Sequence, residues 1–446
     1  MQGMSESPRY KPYNSRTIRD TAYWHRLTPA LQEAMNVVAR VMPFRTNEYV
    51  LGTLIDWDNI PDDPIFRMTF PHKDMLLPDE YASLKHLIEL DDSVAIKRRI
   101  EAIWLRMNPH PAGQLTHNGV TLDGKVLPGI QHKYRETVLF FPGAGQTCHA
   151  YCTFCFRWAQ FIGEEELKFN ARESQELVSY LRVHTEVTDV LITGGDPMIM
   201  NTRSLAGYIE PLLHLPHLKS IRIGTKSVAY WPQRFVSDKD APELLELFKR
   251  IVAAGKNLSV MGHYNHPVEI RQDIARQAIE RIRSTGATLR MQAPVIRHIN
   301  ENPADWAELW TEGVRLGAVP YYLFVERDTG PSHYFAMPLA RAFEIFQAAY
   351  RTVSGLARTV RGPSMSTFYG KVLINGIETV AGEKVFVLQF LQARDPQWVL
   401  RVFYARFDPH VTWFDDLRPA FGERLFFFQT EPVAAPELIQ VLLETA

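Results

Sequence analysis

Cysteine is nearly missing. The 446 residues include only three, an odd number far below what a disulfide framework needs in a chain this long, which excludes the stapled secreted class and suits a reducing compartment. Long apolar runs are missing too. No window of about 18 apolar residues occurs, so no membrane span is expected, and the stretch Met1 to Asp20 lacks the apolar centre of a secretory leader. Neither sign of charge dominates: Lys+Arg 49 against Asp+Glu 50 leaves a net charge of −1. Without a broad basic field, neither nucleic acid nor anionic membrane is an expected partner. Repeats and low-complexity segments do not occur. What remains, 46% hydrophobic and 22% charged with 25 Gly and 29 Pro, is an ordinary globular composition, expected to be cytoplasmic.

The few cysteines are placed together. Cys148, Cys152 and Cys155 form a C-x3-C-x2-C run. Structural zinc takes four protein ligands and catalytic zinc usually takes His and carboxylate, so three thiolates on one loop fit an iron–sulfur cluster better. A 4Fe–4S cube held by three thiolates keeps one iron open to a small molecule. Tyr151, Phe154, Phe156 and Trp158 around the run would shield it from water.

Residues 1–130 carry helical periodicity, with Pro29 at a helix start and an apolar face through Leu84, Leu87 and Ile88. An N-terminal helical lobe is expected there. From about 136, short β-branched or aromatic runs at 137–141, 188–193, 219–224, 257–262, 287–293 and 319–325 alternate with helical patterns near 172–183, 203–213, 241–254, 270–284 and 303–315. Six βα units imply a parallel sheet, and polar motifs after each strand favour a partial barrel over residues 131–335, with function on the strand-end loops. Residues 336–446 open with a helix from Leu339 to Val353. Strand-like runs follow at 371–374, 384–391, 398–404 and 424–428. They are expected to form a C-terminal cap or oligomerisation lobe, giving an α/β chain of three parts.

The cysteine run is the signature of the radical SAM superfamily, and over roughly residues 45–375 the sequence resembles the lysine 2,3-aminomutase family within it. Shared segments include Arg45-Thr46-Asn47, Thr193-Gly194-Gly195-Asp196-Pro197, Ile221 to Lys226, Trp231-Pro232-Gln233-Arg234, His263 to Ile270, Gln292, Pro320-Tyr321-Tyr322 and Pro338-Leu339-Ala340. The resemblance implies a 4Fe–4S cluster on Cys148, Cys152 and Cys155 whose open iron chelates S-adenosylmethionine (SAM) and cleaves it to a 5′-deoxyadenosyl radical. That radical removes a β-hydrogen, and pyridoxal phosphate (PLP) carries the amino group to the neighbouring carbon. The resemblance also implies a small carboxylate-bearing substrate, an electron donor of flavodoxin or ferredoxin type and a homo-oligomer. Gly194, Gly195 and Asp196 would approach the methionine end of SAM, and Gly224, Thr225, Lys226, His263 and Gln292 would line its pocket. Arg157 matches the arginine that grips the substrate carboxylate.

The departures are specific. Two aspartates that hold the distal ammonium in the lysine enzymes align here with Arg327 and Arg361. Two guanidinium groups beside a cation would repel it, so an anionic distal group, as in a glutamate-like substrate, is expected. A one-residue slip would instead place Glu326 or Asp328 in the pocket. The glycine-rich stretch before the PLP lysine reads Gly362 to Gly370 with most glycines replaced. Lys371 is therefore read either as the PLP lysine or as a lysine opening a strand. The arginine for the PLP phosphate aligns with Thr137, with Lys133 and Arg135 as substitutes. A PLP-independent isomerase, dehydrogenase or eliminase on the same scaffold is the alternative enzyme. An iron–sulfur electron carrier is the non-enzymatic one.

Overall fold

A computed structural model describes residues 10–108, 114, 117–163, 170–171 and 174–430. The N-terminal lobe is mostly helical. Its helices begin where the sequence provides caps: Thr28 accepts from the Leu31 amide with Pro29 at the first position, and Asp63 accepts from the Phe66 amide ahead of Pro64. A small antiparallel pair, β1 (Pro12–Asn14) with β2 (Arg45–Asn47), ties the start of the lobe to its middle.

One twelve-stranded sheet makes up the rest of the frame. β3 (Gly119–Leu122) and β4 (Lys125–Tyr134) are antiparallel and lead into six parallel strands: β5 (Thr137–Phe140), β6 (Asp189–Ile192), β7 (Ser220–Thr225), β8 (Asn257–His263), β9 (Thr288–Val295) and β10 (Val319–Val325). All six coincide with the expected strands to within about two residues at each end, the accuracy pattern reading allows. Helices such as Ala241–Ala253 and Asp273–Ser284 fill the crossovers. Burial alternates strictly along β7 and β9. Ile221, Ile223, Leu289 and Met291 pack outward under the helices, whereas Arg222, Gly224, Arg290 and Gln292 share the opposite, less buried face, which lines the lumen. A parallel strand buried on both faces would read as a continuous apolar run. Polar residues every second position therefore mark a working interior.

The sheet continues past residue 335. β11 (Arg361–Ser366) adds a seventh parallel strand beside β10, and β12 (Gly370–Val380), β13 (Glu383–Ala393) and β14 (Val402–Arg406) follow antiparallel. The expected division at 130 falls inside β4, and that at 335 falls between two paired strands. The C-terminal strands still have a core of their own, with Phe390, Trp398, Phe403, Phe414 and Phe428 at its centre. The run 424–428 is not a strand. Gln429 bonds back to Phe426 through both its amide and its side chain, closing a turn that places Phe426 and Phe428 on the core while 427–430 forms one helical turn.

Side chains join the far ends of the sheet. Lys133 on β4 donates to Thr367 O in the β11–β12 turn, and Arg394, one residue past β13, donates to Phe368 O, His117 O and Asn118 Oδ1. These bonds curl the open sheet into a partial barrel.

Candidate active site

The cysteine loop leaves the C-terminal end of β5 and is fastened by the N-terminal lobe. The Tyr151 amide donates to Arg45 O (2.8 Å) and the Thr153 amide to Met68 O (2.9 Å), while Tyr10 and Asn47 side chains both donate to His149 O. From the barrel side, the turn after β6 presses on the same loop. A Cβ at Gly195 would lie 2.5 Å from Thr147 N and O, so only glycine fits there.

The three thiols are free of disulfides. Burial pushes all of them up, Cys152 to about 12 and Cys155 to about 11, so the thiolates need a compensating cation. Among the described residues no three His, Cys, Asp or Glu side chains close on one point as a single metal ion requires. A cluster stands between its ligand sulfurs and spreads them wider than one ion does. Three unpaired, desolvated thiols on one loop, each electrostatically coupled to another, fit such a cluster.

The strand-end motifs divide into builders and lumen groups. Asp196 is buried, and its carboxylate accepts from Thr225 Oγ1 (2.7 and 2.9 Å), the Lys226 and Ser227 amides (2.9 and 3.0 Å), Ser227 Oγ (3.0 Å) and the Met198 amide (2.9 Å). Its lone pairs are all used inside the protein. Lys226 Nζ is likewise engaged, donating to Glu269 Oε1 (2.6 Å) and Asn265 Oδ1 (2.8 Å). Asp196, Thr225 and Lys226, expected at the SAM pocket, use these side-chain groups to lock the loops after β6, β7 and β8 together. Gly194, Gly195 and Gly224 offer only backbone. His263 and Gln292 remain in the lumen at the ends of β8 and β9, 3.0 Å apart, with burial holding His263 down to about 4 and hence neutral.

The cationic side chains fall into two groups. Arg157 is buried against Phe141, its guanidinium carbon 4.0 Å from the ring centroid and 5.3 Å from that of Phe156, and its Nη1 has no hydrogen-bond partner. Burial lowers its pKa to about 9, which marks how much an anion there would stabilise it. Arg327 lies near the same Phe156 ring (5.9 Å) and near Trp413 (5.2 Å). Its Nη1 is held by Ser366 O at 2.6 Å, while Nε and Nη2 are buried without hydrogen bonds. Those two atoms form the edge of the guanidinium that grips carboxylates in bidentate fashion. Asp328 Oδ1 lies 3.8 Å from Nε, outside hydrogen-bonding range, and Glu326 is buried with its carboxyl pushed up by desolvation.

Arg361 does not join Arg327, contrary to the expectation of one pocket. It stacks on Tyr321 and Tyr322 (4.6 and 4.3 Å) beside Lys371, whose Nζ is 4.0 Å from the Tyr322 centroid. Burial, with Arg222 and Arg361 nearby, brings Lys371 down to about 7. Thr137 gives its hydroxyl to Asp189, Arg135 is exposed, and Lys133 is spent on Thr367 O. Other cations stand near Lys371 instead: Arg361 on β11, and Arg290 on β9, which shares the Tyr321 ring with it. A buried, easily neutralised amine flanked by arginines and two aromatic faces fits PLP.

Sequence reasoning gave Phe156 only a shielding role, placed Tyr322 and Glu269 in shared segments without a role, and missed Trp413 and Ser366 O. The aromatic run after Cys155 signalled the first; the others come from tertiary contacts without a local pattern.

Among curated proteins, the chain is 32% identical over 400 residues to "Putative L-lysine 2,3-aminomutase" of Aquifex aeolicus (strain VF5), covering 90% of its own length and 94% of the relative. It is 29% identical over 256 residues to the L-lysine 2,3-aminomutase of Haemophilus influenzae, 56% of this chain and 71% of that one. No protein-family model matches. Streptococcus suis SuiB bound to S-adenosylmethionine overlaps 48% of this chain and 44% of its own, at 14% identity and a TM-score of 0.33, too loose a match to carry an argument. Identity near a third across nearly the whole of two chains decides the matter: this protein belongs to the lysine 2,3-aminomutase family and is a radical SAM, aminomutase-like enzyme.

Proposed function

We propose that the enzyme carries out a 2,3-aminomutase-type migration on a small amino acid whose far end is acidic. The observation behind this reading is the unpartnered Nε and Nη2 edge of Arg327, whose Nη1 is held by Ser366 O, near the unpartnered Nη1 of Arg157, with Phe156 as their shared neighbour. Arg157 takes the α-carboxylate and Arg327 the distal carboxylate. Phe156, Phe141 and Trp413 exclude water around both, which strengthens each charged contact. Cys148, Cys152 and Cys155 hold the cluster, and backbone at Gly194, Gly195 and Gly224, with His263 and Gln292, lines the SAM pocket.

When bound, the cluster and SAM supply the hydrogen-abstracting radical, and PLP on Lys371 supplies the carrier for the migrating nitrogen. Lys371 contributes a free amine at neutral pH, and Arg361 and Arg290 contribute positive charge for a phosphate. Electrons come from a flavodoxin or ferredoxin-type donor, and the chain works as a homo-oligomer in the cytoplasm.

Anaerobic incubation of reconstituted protein with SAM, dithionite, PLP and separate amino acids, read by mass spectrometry, tests the reading. β-Amino isomers from glutamate or aspartate are expected. Turnover of lysine alone would defeat it. Borohydride trapping followed by peptide mapping should place PLP on Lys371; enzyme active without that adduct would favour the PLP-independent alternative, for which the loss of the arginine at Thr137 speaks.

A further inference from the structure

The helical turn Ser227–Tyr230 packs against the cysteine loop, and a single fully buried amide fixes the two together. Asn47 Nδ2 donates to His149 O at 3.1 Å and to Tyr230 O at 3.0 Å. With its backbone tied in this way, the Tyr230 phenol stands 4.0 Å from Cys152 Sγ. The described residues give that hydroxyl no other hydrogen-bond partner. Lys226 Nζ lies 4.4 Å from the centroid of the same ring, anchored in turn by Glu269.

We propose that Tyr230 is a positioning residue for the iron–sulfur cluster, donating its O–H to the Cys152 sulfur and thereby raising the cluster's reduction potential. The inference rests on the cluster assignment above. A reduced cluster carries one more negative charge, shared with its sulfurs, so a fixed donor stabilises the reduced state more than the oxidised one. In a buried site the effect is large because no water competes.

The test is a potentiometric titration, followed by electron paramagnetic resonance, of the anaerobically reconstituted full-length protein without SAM. Tyr230→Phe keeps the ring and removes the donor. At fixed solution potential its reduced-to-oxidised ratio should fall about tenfold, a shift of ~59 mV for a one-electron couple. Iron content and melting temperature should stay at wild-type values, which separates this role from packing. Tyr230→3-fluorotyrosine keeps the shape, strengthens the donor and should move the midpoint in the opposite direction. Should Tyr230→Phe fail to hold a cluster, the fluorinated variant decides alone. Midpoints equal to wild type overturn the inference. A wild-type chain that assembles no 4Fe–4S cluster overturns both the inference and the reading beneath it, so the two failures are distinguishable.

Discussion

Arg327 is where a single residue carries the most functional weight. Two of its donors are desolvated without hydrogen bonds, an arrangement that costs stability unless a ligand completes it. Arg327→Gln is expected to lower kcat/KM for an acidic substrate by roughly 30-fold or more, the ~2 kcal/mol of a lost charged contact, with little gain in folding cost. Steady-state kinetics on the reconstituted enzyme measure it, and an unchanged value would remove Arg327 from the substrate. Lys371 gives a pH prediction. Its pKa is lowered from the ordinary lysine range to about 7 by burial, then by Arg222 and Arg361. Below that value the amine is protonated and cannot attack a carbonyl; above it the amine is free. PLP capture, followed by borohydride trapping, should therefore rise through pH 7 and level off above about 8 rather than climbing to pH 10. At this scale the sequence drew attention to Arg157, Arg327 and the cysteines, whose residue types are conspicuous where they stand. It left open which groups Asp196 and Lys226 bind, because a motif shows which residue is present but not which way its side chain turns.

At the scale of elements, the loops after β6, β7 and β8 behave as one unit centred on the Asp196 carboxylate. Asp196→Ala would strand the Lys226 and Ser227 amides and two hydroxyls in the interior, at a cost of about 3–5 kcal/mol. A lowered unfolding midpoint together with poor iron retention is the expected result. Loss of SAM affinity with intact stability and iron would instead make Asp196 a ligand. Gly195→Ala acts on the same unit from the other side, since its methyl would meet the Thr147 backbone. The six parallel strands were legible because each combines a β-branched or aromatic run with a helix-period segment behind it. β11 was not: Arg361-Gly362-Pro363-Ser364-Met365-Ser366 has none of the usual strand residues, and it becomes a strand only because β10 offers its open edge. Phe426 and Phe428 misled in the reverse direction, since residues two apart share a face in a strand but here share a core through a tight turn.

For the whole molecule, the question is what keeps a twelve-stranded open sheet curled round its lumen. The parallel strands set the curvature, but among the described residues the two ends are joined by hydrogen bonds from side chains, between segments more than 230 residues apart in sequence. Arg394 is the main fastener, joining the β13 end to His117 and Asn118 ahead of β3 while stacking on Phe368 at 4.6 Å. Such a seam has no sequence signature, which is why residues 336–446 read as a separate lobe although their strands extend the barrel sheet. Arg394→Ala removes three hydrogen bonds and a cation–π contact, for an expected loss of about 2–4 kcal/mol. Because the lost bonds lie at the seam, the loss should be local. Hydrogen exchange should quicken first in β3, β4 and β12 and leave β6 to β9 at wild-type protection. Phe368 and Lys133 flank the Arg327 pocket through Thr367 and Ser366, so substrate KM should rise while cluster content holds. Uniform loss of protection across β5 to β14 would show instead that the seam supports the entire sheet.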